Sequence, residues 1–268
     1  MRQVLHITDV HFGRHHQPDR SAGLVELLRQ RTADLVAFSG DVTKRAKPRE
    51  FAQGRRFIEA LGVPTIVVPG NHDVPMYRFW ERLFHPYGAY RRHFDRELEP
   101  VYQDDELLVV GVNTAWNLTI DGGRVWPRRA RRLERQLVEG KGSRCAIVML
   151  HHQMIPVPGY DSPKVMRNAL GTARALVHGG ADLVLSGHVH LSYLGRSEEL
   201  EGAPAGLPVL FSGTACSSRG RGPEVGRNTC HWLEIDELGI AIERLEWDRQ
   251  AGAFVGGERW KLERRSAA

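Results

Sequence analysis

Short runs of consecutive apolar residues recur along the chain at 4–8, 35–39, 65–68, 107–112, 146–150, 183–186 and 209–212, several of them uniformly apolar. Runs of that length, rich in Val, Ile and Leu, predict strands covered on both faces and are too short for surface helices. Between many of them the apolar positions take helical spacing, over 20–31, 48–61, 76–94, 127–139 and 164–178. Pro48 stands at an opening position of the second helical segment and Ser162-Pro163 precedes the fifth, where a fixed φ suits a first turn. The order is βαβα at first and richer in strands later. Near the end, 230–235 and 240–246 flank Asp236-Glu237-Leu238-Gly239, which predicts a hairpin. The last stretch, with Gly256-Gly257 and Arg264-Arg265, reads as a polar tail, about ten residues of it loose.

The segment 76–94 supports two readings. Its apolar positions 76, 79, 80, 83 and 84 predict a buried helix face. The competing reading is a lid beside a site, because Arg78, Arg82, Arg91 and Arg92 are interleaved with the aromatics.

With 268 residues, 41% hydrophobic and 26% charged, the chain predicts one α/β domain spanning 1–268 and excludes disordered and fibrous classes. No apolar run approaches the ~20 residues of a membrane span. The first apolar run leads straight into polar residues, with no separate signal segment, so a cytoplasmic protein without a membrane partner is expected. Cys145, Cys216 and Cys230 are odd in number and lack CxxC spacing, which argues against a disulfide framework or a thiolate zinc site. Of 37 basic residues only Lys44, Lys47, Lys141, Lys164 and Lys261 are lysines. Arginine forks suit phosphate oxygens. The net charge of +5 is nevertheless modest, and Arg128-Arg129 with Arg131-Arg132 fit a solvated helix face, so nucleic-acid binding is not favoured on charge alone.

Five short motifs follow the apolar runs: Asp9-Val10-His11, Gly40-Asp41, Gly70-Asn71-His72-Asp73, His151-His152 and Gly187-His188-Val189-His190. Most of their polar residues fall just past strand carboxyl ends, where loops of an open α/β sheet converge on a rigid platform. Asp9 and His11, two apart in extended chain, project the same way and can bind one ion together; His188 and His190 repeat that spacing. Asp41, after a glycine that permits a tight turn, can give one oxygen to each of two ions, and two adjacent cations need such an anion between them. Asn71 adds an amide oxygen and His151 an imidazole. This mixed shell suits Mn, Fe, Zn or Co better than calcium or copper(I). His72, beside Asn71, would stand at the rim and act as an acid, with Asp73 tuning it.

On these motifs the chain resembles the calcineurin-like metallophosphoesterase superfamily, whose pattern is D-x-H, G-D, G-N-H-[DE], H and G-H-x-H. The resemblance implies a four-layer α-β-β-α sandwich of two mixed sheets flanked by helices. It implies two divalent or iron/divalent ions, one held by Asp9, His11, Asp41 and His190, the other by Asp41, Asn71, His151 and His188. His72 would be the catalytic histidine, and His152, second of its pair, would fall to the pocket wall. It further implies a hydrolase in which hydroxide attacks phosphorus in line. Val42-Thr43-Lys44-Arg45 after Gly40-Asp41 departs from the V-D-R-G of serine/threonine protein phosphatases. The strings Gly-Asn-His-Asp-Val-Pro and Gly-His-Val-His-Leu are most similar to those of bacterial class III cyclic-nucleotide and glycerophosphodiester phosphodiesterases. The implied substrate is a small phosphodiester, 3′,5′-cyclic AMP being one candidate; a metal-dependent nuclease is the alternative, and a non-enzymatic scaffold is disfavoured by the complete ligand set.

The loop 213–222 combines small residues with Arg219 and Arg221; it predicts a mobile surface loop, with substrate contact by the two arginines as the competing reading. His15 and His16 are expected to flank the entrance, and His6, His85, His93, His178 and His231 to be structural.

Overall fold

The computed structural model describes residues 1–160 and 164–265. Strands β1 (Arg2–Ile7), β2 (Leu35–Phe38) and β3 (Thr65–Val67) run parallel. They are joined in one six-stranded sheet by antiparallel β10 (Thr229–Ile235), β11 (Gly239–Asp248) and β12 (Ala253–Glu263), in the order β12-β11-β10-β1-β2-β3. The second sheet has β5 (Leu107–Val112), β6 (Cys145–Leu150), β7 (Leu183–Ser186) and β9 (Pro208–Phe211) in parallel. Antiparallel β4 (Val101–Gln103) and β8 (Tyr193–Arg196) close its two edges, giving the order β4-β5-β6-β7-β9-β8.

Alternation along the strands sorts the buried side chains into three layers. Val4, Leu35, Leu107, Val109, Ile147, Leu183 and Ile242 lie between the two sheets. Leu5, Ile7, Val36 and Phe38 point to the opposite face of the first sheet, under helices α1 (Pro18–Gln30) and α2 (Pro48–Leu61), with Leu24, Phe51 and Phe57. Leu108, Val110, Ala146 and Val148 do the same on the second sheet, under α5 (Pro127–Lys141) and α6 (Ala169–His178), through Leu133, Leu137 and Leu176. The result is the expected four-layer sandwich. Proline opens α1, α2 and α5, where its missing N–H removes a donor that a first turn leaves unpaired anyway.

Three expectations are corrected. The segment 76–94 is two short helices, α3 (Phe79–Phe84) and α4 (Gly88–His93), because Pro86 cannot continue the first. Its face is not buried: Tyr77 and Trp80 are 74% and 70% exposed, and Tyr90 alone within α3 and α4 is buried. The last helix begins at Ala169, since Asn168 takes φ +63° and Arg167 pairs alongside Arg124; Ser162-Pro163 lies outside the described residues. The polar tail is instead β12, as far as Glu263, an edge strand whose only buried residues are Phe254 and Leu262.

All three cysteines are buried and free, and burial pushes the Cys145 and Cys216 thiols up to about 12. Among the described residues no helix is long and apolar enough to cross a membrane.

Candidate metal centre

The five motifs occupy the loops leaving β1, β2, β3, β6 and β7, so both sheets contribute to one place. Of the seven non-glycine residues with positive φ among the described residues, five are predicted ligands: Asp9 (+55°), His11 (+52°), Asp41 (+54°), His188 (+70°) and His190 (+57°). Asp and His tolerate this left-handed region better than most side chains, yet holding them there still costs roughly 1–3 kcal/mol each. Ladder-like hydrogen bonds between loops fix them: Asp9 N–H donates to Gly40 O (3.1 Å) and His11 N–H to Asp41 O (3.0 Å). Gly70 and Gly187 allow the loops to touch. A Cβ on Gly70 would overlap the Asp41 carboxylate, and one on Gly187 would overlap Thr8 Oγ1 and crowd Asp9 Oδ2.

Two groups of side chains result. Asp9, His11, Asp41 and His190 present ligand-type atoms within 4.8 Å of one another, as do His151, His152 and His188. Asn71 completes the second group, its Oδ1 lying 3.2 Å from His151 Nε2 and 3.1 Å from His188 Nδ1. Asp41 stands between them, with Oδ2 3.7 Å from His11 Nε2 and Oδ1 3.4 Å from His151 Nε2. Contacts across the sheets hold the arrangement: His188 N–H donates to Asp9 Oδ2 (2.9 Å) and His151 Nδ1–H to Ser39 O (2.8 Å).

Carbonyl oxygens set the imidazole tautomers. Nδ1–H of His11, His151 and His190 faces Thr43 O, Ser39 O and Arg219 O, so in the neutral ring each Nε2 carries its lone pair inward. His11 Nε2 and His190 Nε2 then lie 3.1 Å apart, with buried Asp9 Oδ1 3.4 Å from the first and 3.0 Å from the second. Lone pairs and a carboxylate oxygen converging in this way fit a cation, and the mixed oxygen and nitrogen donors fit a transition metal.

Burial pushes the Asp9 and Asp41 carboxyls up, but His190 and His11 at the first, and His151 and His72 at the second, hold both well below the usual carboxylate range. His11 and His188 are lowered to about 3 by burial. Burial also opposes charge on His151, yet the Asp41 carboxylate outweighs it and raises His151 to about 9.

The groups open on a cleft of about 940 Å³, lined near the site by Asp41, His72, His152, His188 and Arg219. His72 Nδ1 faces Lys44 O at 3.0 Å, which directs Nε2 to within 3.1 Å of Arg219 Nη1. Asp73 does not face the cleft. It is buried and accepts hydrogen bonds from Val42 N–H, Thr43 N–H and Gly70 N–H, which makes it a positioning residue that ties the second motif to the third. Burial and the nearby Asp41 raise its carboxyl to about 7. The loop 213–222 is not a free surface loop, since Thr214–Ser217 are buried and Thr214 Oγ1 donates to Asp9 O (2.6 Å). Arg219 enters the site; Arg221 lines the cleft and donates to Tyr160 Oη (2.7 Å).

Sequence reasoning passed over several participants. Thr114, after β5, meets His152 Nδ1 at 2.8 Å, and Lys44, Arg45, Lys164 and Arg167 line the cleft. Lys44-Arg45, separated from Gly40-Asp41 only by Val42-Thr43, was a usable signal; Arg167 had none, because it fell inside a helical pattern.

The model of the family described as "Calcineurin-like phosphoesterase" matches residues 2–192. A protein of Synechococcus sp. named "probable cyclic nucleotide phosphodiesterase" is 29% identical over 83% of this chain and 86% of its own length. A protein of Arcobacter nitrofigilis named "probable glycerophosphodiester phosphodiesterase" is 28% identical over 59% of this chain and 56% of its own. The crystal structure of a dimetal phosphatase from Danio rerio superposes with a TM-score of 0.69 at 11% identity, covering 98% of this chain and 99% of that one, which shows the shared fold.

Proposed function

Because the chain belongs to the calcineurin-like phosphoesterase family, we propose that it is a metal-dependent phosphodiesterase acting on a small phosphodiester, with 3′,5′-cyclic AMP as the leading candidate. The observation that carries this reading is Asp41, buried between two groups of converging donors at the floor of a cleft rich in Lys and Arg. Asp9, His11, Asp41 and His190 would hold one ion, and Asp41, Asn71, His151 and His188 the other. Two ions held there supply the charge that lowers the pKa of water and offsets that of the phosphoryl group.

The chain's own residues supply the rest. Arg219 reaches the site with a guanidinium suited to phosphate oxygens, and Lys44 and Arg221 add positive charge along the cleft. His72, anchored through Nδ1–H to Lys44 O, turns Nε2 toward Arg219 Nη1 on the cleft side. Burial lowers its pKa, while a phosphate anion beside it favours the protonated ring, whose Nε2–H can be given to the departing oxygen. The names of the Synechococcus and Arcobacter relatives support a diester over a monoester.

A substrate panel on ion-analysed protein tests this. Cyclic AMP and glycerophosphoethanolamine should be hydrolysed in a chelator-sensitive way, and faster than p-nitrophenyl phosphate. Turnover confined to oligonucleotides would favour the nuclease alternative, and a preference for monoesters would overturn the diester assignment.

A further inference from the structure

Beside the cleft lies an arrangement that phosphate chemistry does not require, with Arg167 as its member in the cleft lining. Trp116, Arg124, Trp126 and Arg167 form a chain of cation–ring contacts. The Arg124 guanidinium carbon lies 3.3 Å from the Trp126 ring centroid and 5.0 Å from that of Trp116, and the Arg167 carbon lies 5.3 Å from Trp116. The two indoles meet edge to face at 6.3 Å. Backbone pairing holds the rungs together: Arg124 and Arg167 are bridge partners, Arg167 N–H donates to Gly123 O (2.8 Å), and Val125 N–H donates to Arg167 O (3.2 Å).

Two guanidinium groups thus share the Trp116 ring. Among the ion pairs of the described residues neither has a carboxylate partner, and indole faces offset only part of the repulsion. These contacts also reach the site. Arg167 is exposed and lines the same cleft as Asp41 and His188, and Gly123, to which it is bonded, is packed so closely on His152 that a Cβ would overlap the imidazole. A planar, delocalised cation backed by an indole and open to a cleft of about 940 Å³ is a surface on which a flat aromatic ring stacks. A glycerol or ethanolamine group has no such plane to offer.

We infer that Arg167, backed by Trp116, is a base-stacking platform, and that the ligand is a nucleotide whose base lies on Arg167 while its phosphate lies at the motif residues. The phosphate end of this assignment rests on the phosphoesterase reading; the base end rests on the cation–ring contacts.

The test compares equilibrium binding of adenosine 5′-monophosphate and glycerol 3-phosphate, which share a phosphate monoester but not a base, by calorimetry on the metal-loaded protein. Stacking of one base predicts at least about fivefold tighter binding of the nucleotide. Arg167→Ala should remove that difference without weakening glycerol 3-phosphate. Arg167→Lys should remove it too, because the charge remains and the plane is lost. Equal binding of the two ligands by the unaltered chain, equal weakening of both in Arg167→Ala, or full retention of the preference in Arg167→Lys would each overturn the platform. Hydrolysis is read separately: absence of turnover on any phosphoester would sink the phosphoesterase reading while leaving the binding comparison intact.

Discussion

Asp9, His11, Asp41, His188 and His190 share a left-handed backbone that the D-x-H, G-D and G-H-x-H spacings do not disclose. Their identity was legible because carboxylates and imidazoles after apolar runs are few; their conformation was not, because it is imposed by contacts between loops, as when Gly187 lets the last motif close on Thr8. Gly187→Ala should therefore lower metal content, measured by mass spectrometry, while far-UV circular dichroism stays unchanged. Asp41→Ala should lose metal and activity together, since that carboxylate faces both donor groups. His72→Ala should retain metal and lose about 10²–10⁴-fold in kcat, most on substrates with poor leaving groups. Equal loss on good and poor leaving groups would count against His72 as the proton donor. Replacing Arg219 and Arg221 together should raise KM; an unchanged KM would argue against substrate contact.

Most elements visible in the apolar pattern are covered on both sides, the edge strand β3 being an exception. β1, β2, β5, β6, β7 and β9 read as runs because helices lie on one face and the other sheet on the opposite face. The three strands that the pattern did not show, β4, β8 and β12, are all sheet edges, where exposure dilutes the signal. Gly256-Gly257 hid β12 further. Within 76–94 the apolar spacing was real, but Pro86 and the lack of a covering element left α3 with its aromatics in solvent. A pair of substitutions checks this contrast by urea denaturation. Trp80→Ser should change stability by no more than about 0.5 kcal/mol, whereas Phe51→Ala, in the layer under α2, should cost about 3–5 kcal/mol.

At the scale of the whole molecule, the inter-sheet layer holds two histidines that the site does not use. His6 and His231 are register partners on β1 and β10, fully buried, with ring centroids 6.1 Å apart. Burial lowers His6 to about 3 and His231 well below its ordinary value. The unfolded chain takes up protons at both below about pH 6.5 while the folded chain does not, so their contribution falls as pH drops from about 6.5 toward 3. Denaturation midpoints of metal-free protein should be lower at pH 5 than at pH 8, and His231→Gln should flatten that dependence; an unaltered slope would remove His231 from the account. The overall architecture was legible only through the resemblance that the five motifs carry, because nothing in their spacing shows that Asp9, Asp41 and Asn71 follow strands of one sheet and His151 and His188 strands of the other. That division has a thermodynamic corollary. His188 N–H reaches across to Asp9, so an ion shared by these loops couples its binding free energy to the docking of one sheet on the other. The melting temperature should then climb with the logarithm of free metal concentration, and a calorimeter would read occupancy with no substrate in the cell.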